Sequence, residues 1–374
     1  MGQLSLLDSV LLIGICQGIF LTLTITRIAA TNKSANRVLS LLLLISTLML
    51  IGRYLFFRYL TLEVFMYSLA WDALVFLFGP LIYTYVHRML YQEDPPFRLS
   101  YLHYSPFLIF VGICVYYFVA YTPETYYQAY RDGQLTPMFN SMMVAMILYN
   151  ATYIMASFRL LKSYKKREHQ QIAYDQGPVK YLFYFLSSLS LCVLAWAASH
   201  INYRVLDKYF EWITYDTVWV AIPVFIYVVG YFSLKQPELF RMKPPQPEKE
   251  EAKDRLQEQE VVLLRQRLDS LMQNEKLFLK SNLTLAEVAE QLTTSSNNLS
   301  WLLNKVYQTT FYDFINQHRV QEFVRKVENQ EHLKHTILAM SMDVGFNSKS
   351  TFNKAFKQNM NDTPSNFIKK HRAA

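Results

Sequence analysis

The sequence predicts an all-α protein in two parts: a seven-helix transmembrane bundle, then a C-terminal helical domain with two helix-turn-helix units. Three observations lead there. Long apolar stretches recur through the first 234 residues, where Leu, Ile, Val, Phe and Tyr dominate. From Lys235 onward the chain turns to Glu, Gln, Lys and Asn, which is a change of solvent. Near the C-terminus, short apolar stripes at helical spacing each follow a Thr or Ser able to cap a helix.

A helix needs about 20 mostly apolar residues to cross a bilayer. Seven segments qualify, at roughly 6–28, 38–58, 67–88, 102–121, 139–161, 180–203 and 212–234. The first is not read as a signal peptide: it lacks a basic n-region and a small-residue cleavage site, and six more spans follow. Lys and Arg gather beside alternate connections: Arg27, Lys33 and Arg37; Arg88 and Arg98; Arg159, Lys162, Lys165, Lys166, Arg167 and Lys180. Lys235, Arg241 and Lys243 follow the last span, while the other connections hold Arg58; Arg131; and Arg204 and Lys208. This asymmetry predicts a multi-pass protein of the inner (cytoplasmic) membrane, with its N-terminus outside and its C-terminal domain in the cytoplasm.

Several residues within the spans leave alternatives open. Arg53 and Asp72 are costly in lipid; they either pair between the second and third spans or sit at the outer interface, Arg53 snorkelling and Asp72 capping. Pro80, Pro106 and Pro223 either hinge a moving helix or are accommodated by neighbours. Gly14 and Gly18 have the small-xxx-small spacing of close helix approach, within the bundle or between two copies. Tyr116, Tyr117, Tyr121, Tyr126, Tyr127, Trp212, Tyr215 and Trp219 read as an interfacial belt, with room for a pocket taking an unidentified small-molecule or lipid ligand. Cys16, Cys114 and Cys192 lie in apolar runs and read as small buried hydrophobes.

Met242–Lys249 (MKPPQPEK) reads as an extended stalk. Beyond it, Val261, Leu264, Leu268, Leu271 and Phe278 form one stripe of a connector helix, the only covalent route from bundle to tail. The stripe suits a short coiled coil or packing on the C-terminal domain. The expected domains are therefore 1–234, the bundle; 235–280, the stalk and connector; and 281–374, the helical domain.

In that last domain Thr284 can cap a helix turning Leu285, Val288, Ala289 and Leu292 inward. Ser295 can cap a second, with Leu299, Leu302 and Leu303 inward and Ser296, Asn297, Ser300, Trp301, Asn304 and Lys305 outward. A longer helix carries Phe311, Phe314, Ile315, Val320, Phe323, Val324 and Val327. Then the pattern repeats: Thr336 caps a helix with Ile337, Met340, Ser341 and Val344, and Gly345 supplies the turn, where a positive φ is wanted. Phe346 plugs the core, and Ser348 starts a helix whose Phe352 and Phe356 face in. Lys349, Ser350, Asn353, Lys354 and Lys357 face out. Asn reads adenine, Lys reads guanine or binds phosphate, and a helix of this size fits the major groove. His332 and His335 stand three apart with no further ligand cluster and read as solvated; no metal or cofactor is expected.

Residues Leu283 to Lys370, carrying LTLAEVAEQL, NLSWLLNKV, FYDFINQHRV, DVGFNSKSTFNKAFK and TPSNF, resemble the DNA-binding domain of AraC-type transcription regulators. Seven spans ahead of such a tail resemble the membrane-bound bacterial members of that family. The resemblance implies two helix-turn-helix units joined by one long helix, with double-stranded promoter DNA as partner. Its base-facing positions fall on Asn297, Ser300, Trp301 and Asn304, then Lys349, Ser350, Asn353 and Lys354. Four positions depart from the family: Trp301 stands where Arg or Gln is usual, Ser341 for Ala, Asn361 for Gly and Ile368 for Arg.

From Ser281 to Ala374 there are 11 basic and 8 acidic residues, a net of +3. That is modest for a DNA binder and favours a homodimer or adjacent sites. No Walker loop, Gly-rich nucleotide loop, His-Glu-x-x-His or Gly-x-Ser-x-Gly occurs, so no enzyme is expected. The function expected is a membrane-embedded one-component transcription regulator; the alternative is a membrane receptor whose tail recruits a protein partner.

Overall fold

The apolar runs fold as helices, which bond their own backbone groups internally. The computed structural model describes residues 5–27, 32–91, 95–174, 177–204, 210, 213–214, 216–235 and 258–373. The stalk at Met242–Lys249 lies outside these residues, as do Trp212 and Tyr215 of the aromatic belt and Lys208, Arg241 and Lys243 of the charge pattern. Among the described residues there is no strand, only an isolated antiparallel bridge between Ile172 and Thr284. The all-α reading holds.

The first part runs α1 (Leu6–Arg27), α2 (Lys33–Arg58), α3 (Leu62–Tyr67), α4 (Leu69–Ala73), α5 (Val75–Leu90), α6 (Ser105–Ala120), α7 (Pro123–Arg131), α8 (Thr136–Gln171), α9 (Gly177–Arg204) and α10 (Asp216–Lys235). Six described helical stretches are long and apolar enough to cross a membrane, and Trp219–Lys235 is a shorter apolar helix. The third stretch is broken where hydrogen bonds tighten to i→i−3, from Trp71 to Ser68, Leu74 to Trp71 and Leu77 to Leu74. Two features escaped the sequence reading. Helix α7 is started by a Thr122/Thr125 capping box with Pro123 in its first turn. Helix α8 continues past the expected end at 161 to Gln171, because no Gly or Pro interrupts it before Gly177.

Close packing inside the bundle accounts for two glycines. A Cβ on Gly14 would meet Pro223 Cγ of α10 at 2.8 Å, and one on Gly18 would collide with Thr47 of α2. The small-xxx-small face is thus used within the chain. Of the cysteines, Cys114 is buried and Cys192 half-buried, but Cys16 is exposed on the outward side of α1, correcting its reading as a buried residue.

The chain forms two compact units, Met1–Lys162 with Gly177–Gln246, and Ser163–Gln176 with Pro247–Ala374. The second holds α11 (Glu258–Ser270), α12 (Leu285–Gln291), α13 (Ser296–Lys305), α14 (Phe311–Glu328), α15 (Ile337–Asp343), α16 (Lys349–Met360) and α17 (Pro364–Ala373). Two apolar clusters build it. Leu264, Leu268 and Leu271 of the connector join α12, α13 and the start of α14 in one. Val320, Phe323 and Val327 of α14 join α15, α16 and Ile368 in the other. Helix α14 is therefore the shared spine, and the connector stripe packs on the C-terminal domain.

Candidate nucleic-acid interface

Local chemistry sets the two short-helix pairs on this spine. Thr284 accepts from Glu287 N while Glu287 reaches back to Thr284 N, closing a capping box at α12. Ser295, Thr336 and Ser348 each accept from a backbone N–H three residues on, at the starts of α13, α15 and α16. The turn in the first pair puts Thr293 at φ 52°; in the second, Gly345 takes φ 97°. A Cβ at Gly345 would stand 2.7 Å from Phe278 O and 2.8 Å from Leu279 O, so both the angle and the space require glycine. Asn361 ends α16 at φ 52°, in a conformation Asn accepts readily.

Phe352 and Phe356 are fully buried on one face of α16, against Phe323 of α14. Burial of that face leaves Lys349, Ser350, Asn353, Lys354 and Lys357 exposed. On α13, Leu299, Leu302 and Leu303 are buried; Asn304 and Lys305 are exposed, while Asn297 and Ser300 are half-buried at the rim. Trp301 is 42 % exposed, a large aromatic left in solvent where the core has no use for it. Asn304 donates to Ser300 O at 2.8 Å and Ser300 Oγ at 3.2 Å, which fixes its amide on the helix surface.

Both outward faces reach one groove. Asn304 of α13 and Lys354, Gln358 and Asn359 of α16 line a cleft of about 530 Å³, floored by Tyr312 and Asn316 of α14. The lysines divide by role. Lys276, Lys280, Lys326 and Lys370 are tied to Glu322, Glu287, Glu331 and Asp362. Lys305, Lys349, Lys354 and Lys357, on the two outward faces, form no ion pair among the described residues. Cations kept off carboxylates are what a polyanion needs.

Two features lay beyond the sequence reading. Arg319, fully buried in α14, donates to Phe278 O at 2.8 Å, Ala173 O at 2.9 Å, Lys280 O at 2.7 Å and Asn316 Oδ1 at 3.2 Å. Burial pulls its pKa down to about 10, still charged at neutral pH. Its sequence signal was an Arg four residues from both Ile315 and Phe323, on the core stripe. The second is a strap, Ser163–Gln176, made of the end of α8 and the link to α9 yet part of the second unit. Ala173, fully buried in the first apolar cluster, donates its N–H to Leu283 O at 3.2 Å. The His169 ring stacks on Tyr312 at 4.2 Å and 5°. Contacts spanning more than a hundred residues leave no local pattern. His332, read as solvated, is instead buried, its Nδ1 3.1 Å from Val327 O.

Residues 288–370 match a family described as a helix-turn-helix domain, of AraC type. The domain supports sequence-specific DNA binding by a transcription regulator and is not that of an enzyme family. No curated protein and no solved structure matches the chain.

Proposed function

We propose that the chain is a membrane-embedded one-component regulator: its apolar helices cross the inner membrane and sense a signal, and α12–α13 and α15–α16 act as two helix-turn-helix units on promoter DNA. The observation that carries the reading is the pair of outward faces on α13 and α16, which bring Lys354 and the amides of Asn304, Gln358 and Asn359 to one groove within a matched DNA-binding domain. Asn297, Ser300, Trp301, Asn304, Lys349, Ser350, Asn353 and Lys354 then face bases, with Lys305 and Lys357 on phosphates. Trp301 cannot make a bidentate polar contact; it suits a thymine methyl or a sugar edge. Seven spans with the N-terminus outside would put the second unit in the cytoplasm, and dimerisation would double a modest cationic charge.

Signal transfer has a candidate route in α8, which runs unbroken from Thr136 into the strap, so a shift of the span is delivered to Ala173 and His169. For a signal to act, the two arrangements must differ in ligand affinity.

The test uses the full chain in lipid nanodiscs, since a fragment beginning after the spans would lack the strap. Selection from a random duplex pool is expected to enrich a motif, and Asn353→Ala or Lys354→Ala to relax it by about 1–3 kcal/mol at the contacted position. No enrichment at any salt concentration, from folded protein, would overturn the reading in favour of a protein-recruiting tail.

A further inference from the structure

The first unit contains a two-lobed cavity whose polar wall is incomplete. The inner lobe holds about 240 Å³ and is walled largely by apolar groups, among them Met146, Trp196 and Ile222. The outer lobe holds about 350 Å³ and adds His200, Arg204 and Tyr126. Arg53 and Asp72 line both lobes and so mark their junction. The outer lobe falls at the lower end of the size range of small-molecule sites, and the inner lobe just below it.

One buried acceptor in this wall, on Asn150, has no donor among the described residues, and a half-buried carboxylate, Asp72, stands in the same wall. Asn150 is 3 % exposed; its Nδ2 donates to Met146 O at 2.9 Å and Val75 O at 3.3 Å, so the amide orientation is fixed by two carbonyls. Its Oδ1 is left without a partner, facing the inner lobe. Asp72 has no hydrogen bond or ion pair among the described residues and feels Arg53 only across space. Arg53 rests its guanidinium over the rings of Phe57 at 4.1 Å and Trp219 at 5.3 Å. A buried acceptor left without a donor is costly, and Asn150 Oδ1 with the half-buried Asp72 carboxylate in one largely apolar chamber suits a cationic donor from outside the chain. Among the described residues, the outer lobe carries two guanidinium groups, of Arg53 and Arg204, and one carboxylate, a balance suited to an anion.

We infer that this cavity binds a small zwitterion with an apolar side chain, an amino acid or short peptide. Its ammonium group donates to Asp72 and Asn150 Oδ1, its carboxylate turns toward Arg204 and Arg53, and its side chain fills the inner lobe. The inference deepens the sensing half of the proposed function and rests on it only for the consequence of binding, not for the binding itself.

The probes are L-phenylalanine and L-leucyl-L-phenylalanine, with N-acetyl-L-phenylalanine lacking the ammonium and L-phenylalanine amide lacking the carboxylate. Each is titrated onto the full chain in nanodiscs while the unfolding temperature is followed. At least one zwitterion is expected to raise it in a concentration-dependent way, and each analogue to bind at least about tenfold more weakly, the loss of one charge-assisted hydrogen bond. Asn150→Leu, close in volume and free of the orphaned oxygen, is expected to fold and to abolish the shift; Arg204→Gln is expected to weaken it about tenfold. No shift with either zwitterion, or equal shifts with both analogues, overturns the inference, equal shifts pointing to an occupant held by its apolar body alone, such as an acyl chain. Enriched-duplex binding is read on the same samples. A zwitterion that binds without changing it leaves the site standing and overturns sensing; intact duplex binding without any zwitterion shift does the reverse.

Discussion

Arg319 and Gly345 meet at the same short piece of backbone, Phe278 to Lys280, and each is irreplaceable for a different reason. Removing the guanidinium in Arg319→Met strands the buried carbonyls of Phe278 and Ala173 at about 1–3 kcal/mol each, and the half-buried carbonyl of Lys280 besides. A loss on the order of 3–5 kcal/mol is expected, measured as the unfolding temperature of the second unit by hydrogen exchange. Arg319→Lys is not expected to rescue it, because an ammonium cannot present the planar fork that reaches Phe278, Ala173 and Lys280 together. Gly345→Ala forces φ 97° on a residue with a Cβ, and a cost on the order of 1–3 kcal/mol is expected. Nearby, His318 stacks on Phe278 at 5.6 Å and meets Phe314 edge-on at 4.8 Å. Burial lowers its pKa, with Asp269 pulling weakly the other way. Its native form is neutral, while the unfolded chain takes up a proton as pH falls through about 6.5. Stability is therefore full above that pH and declines below it until the folded value is reached. Melts at pH 7.5 and 5.5 should differ less in His318→Gln than in the parent.

At the scale of elements, each short helix depends on a cap and one apolar face, and both were legible. Ser348→Ala should destabilise by about 1 kcal/mol, the usual loss for an N-cap hydroxyl. Lys349→Ala, Lys354→Ala and Lys357→Ala should each lower the salt dependence of duplex binding by about 0.9 in log–log slope where the lysine contacts phosphate. Thr284, Ser295, Thr336 and Ser348 were readable because a cap acts on a backbone group three residues away. The outward positions followed from the inward ones, since Phe352 and Phe356 fix which side of α16 is wet. Arg319 was passed over because its three carbonyl partners lie in loops near 173 and 280, and no spacing joins them. The groove floor at Tyr312 and Asn316 was hidden for the same reason: it exists only once α13 and α16 have docked on α14.

Over the whole molecule, the apolar runs announced the bundle, but the end of α8 did not announce itself. Hydropathy marks where lipid would stop, near 161, whereas the helix stops at Gln171 where its hydrogen bonds do. That extension makes helical phase testable. Each residue turns an α-helix by about 100°, so one alanine inserted between Lys162 and Ser163 should misalign the strap and abolish the response of duplex binding to signal. Four inserted alanines return the phase to within about 40° and should restore part of it. Equal tolerance of both insertions would remove α8 from the signalling route. The strap also bears on where such a regulator can work. Cutting the chain between 236 and 257 would free the tail from its tether, yet Ala173, a core residue of the second unit, would stay behind between α8 and α9. A shed tail would thus be an incomplete one. In the proposed arrangement the protein does not travel to its gene; the chromosome must bring the gene to the envelope, and regulation is paced by the motion of a DNA locus instead of the diffusion of a protein.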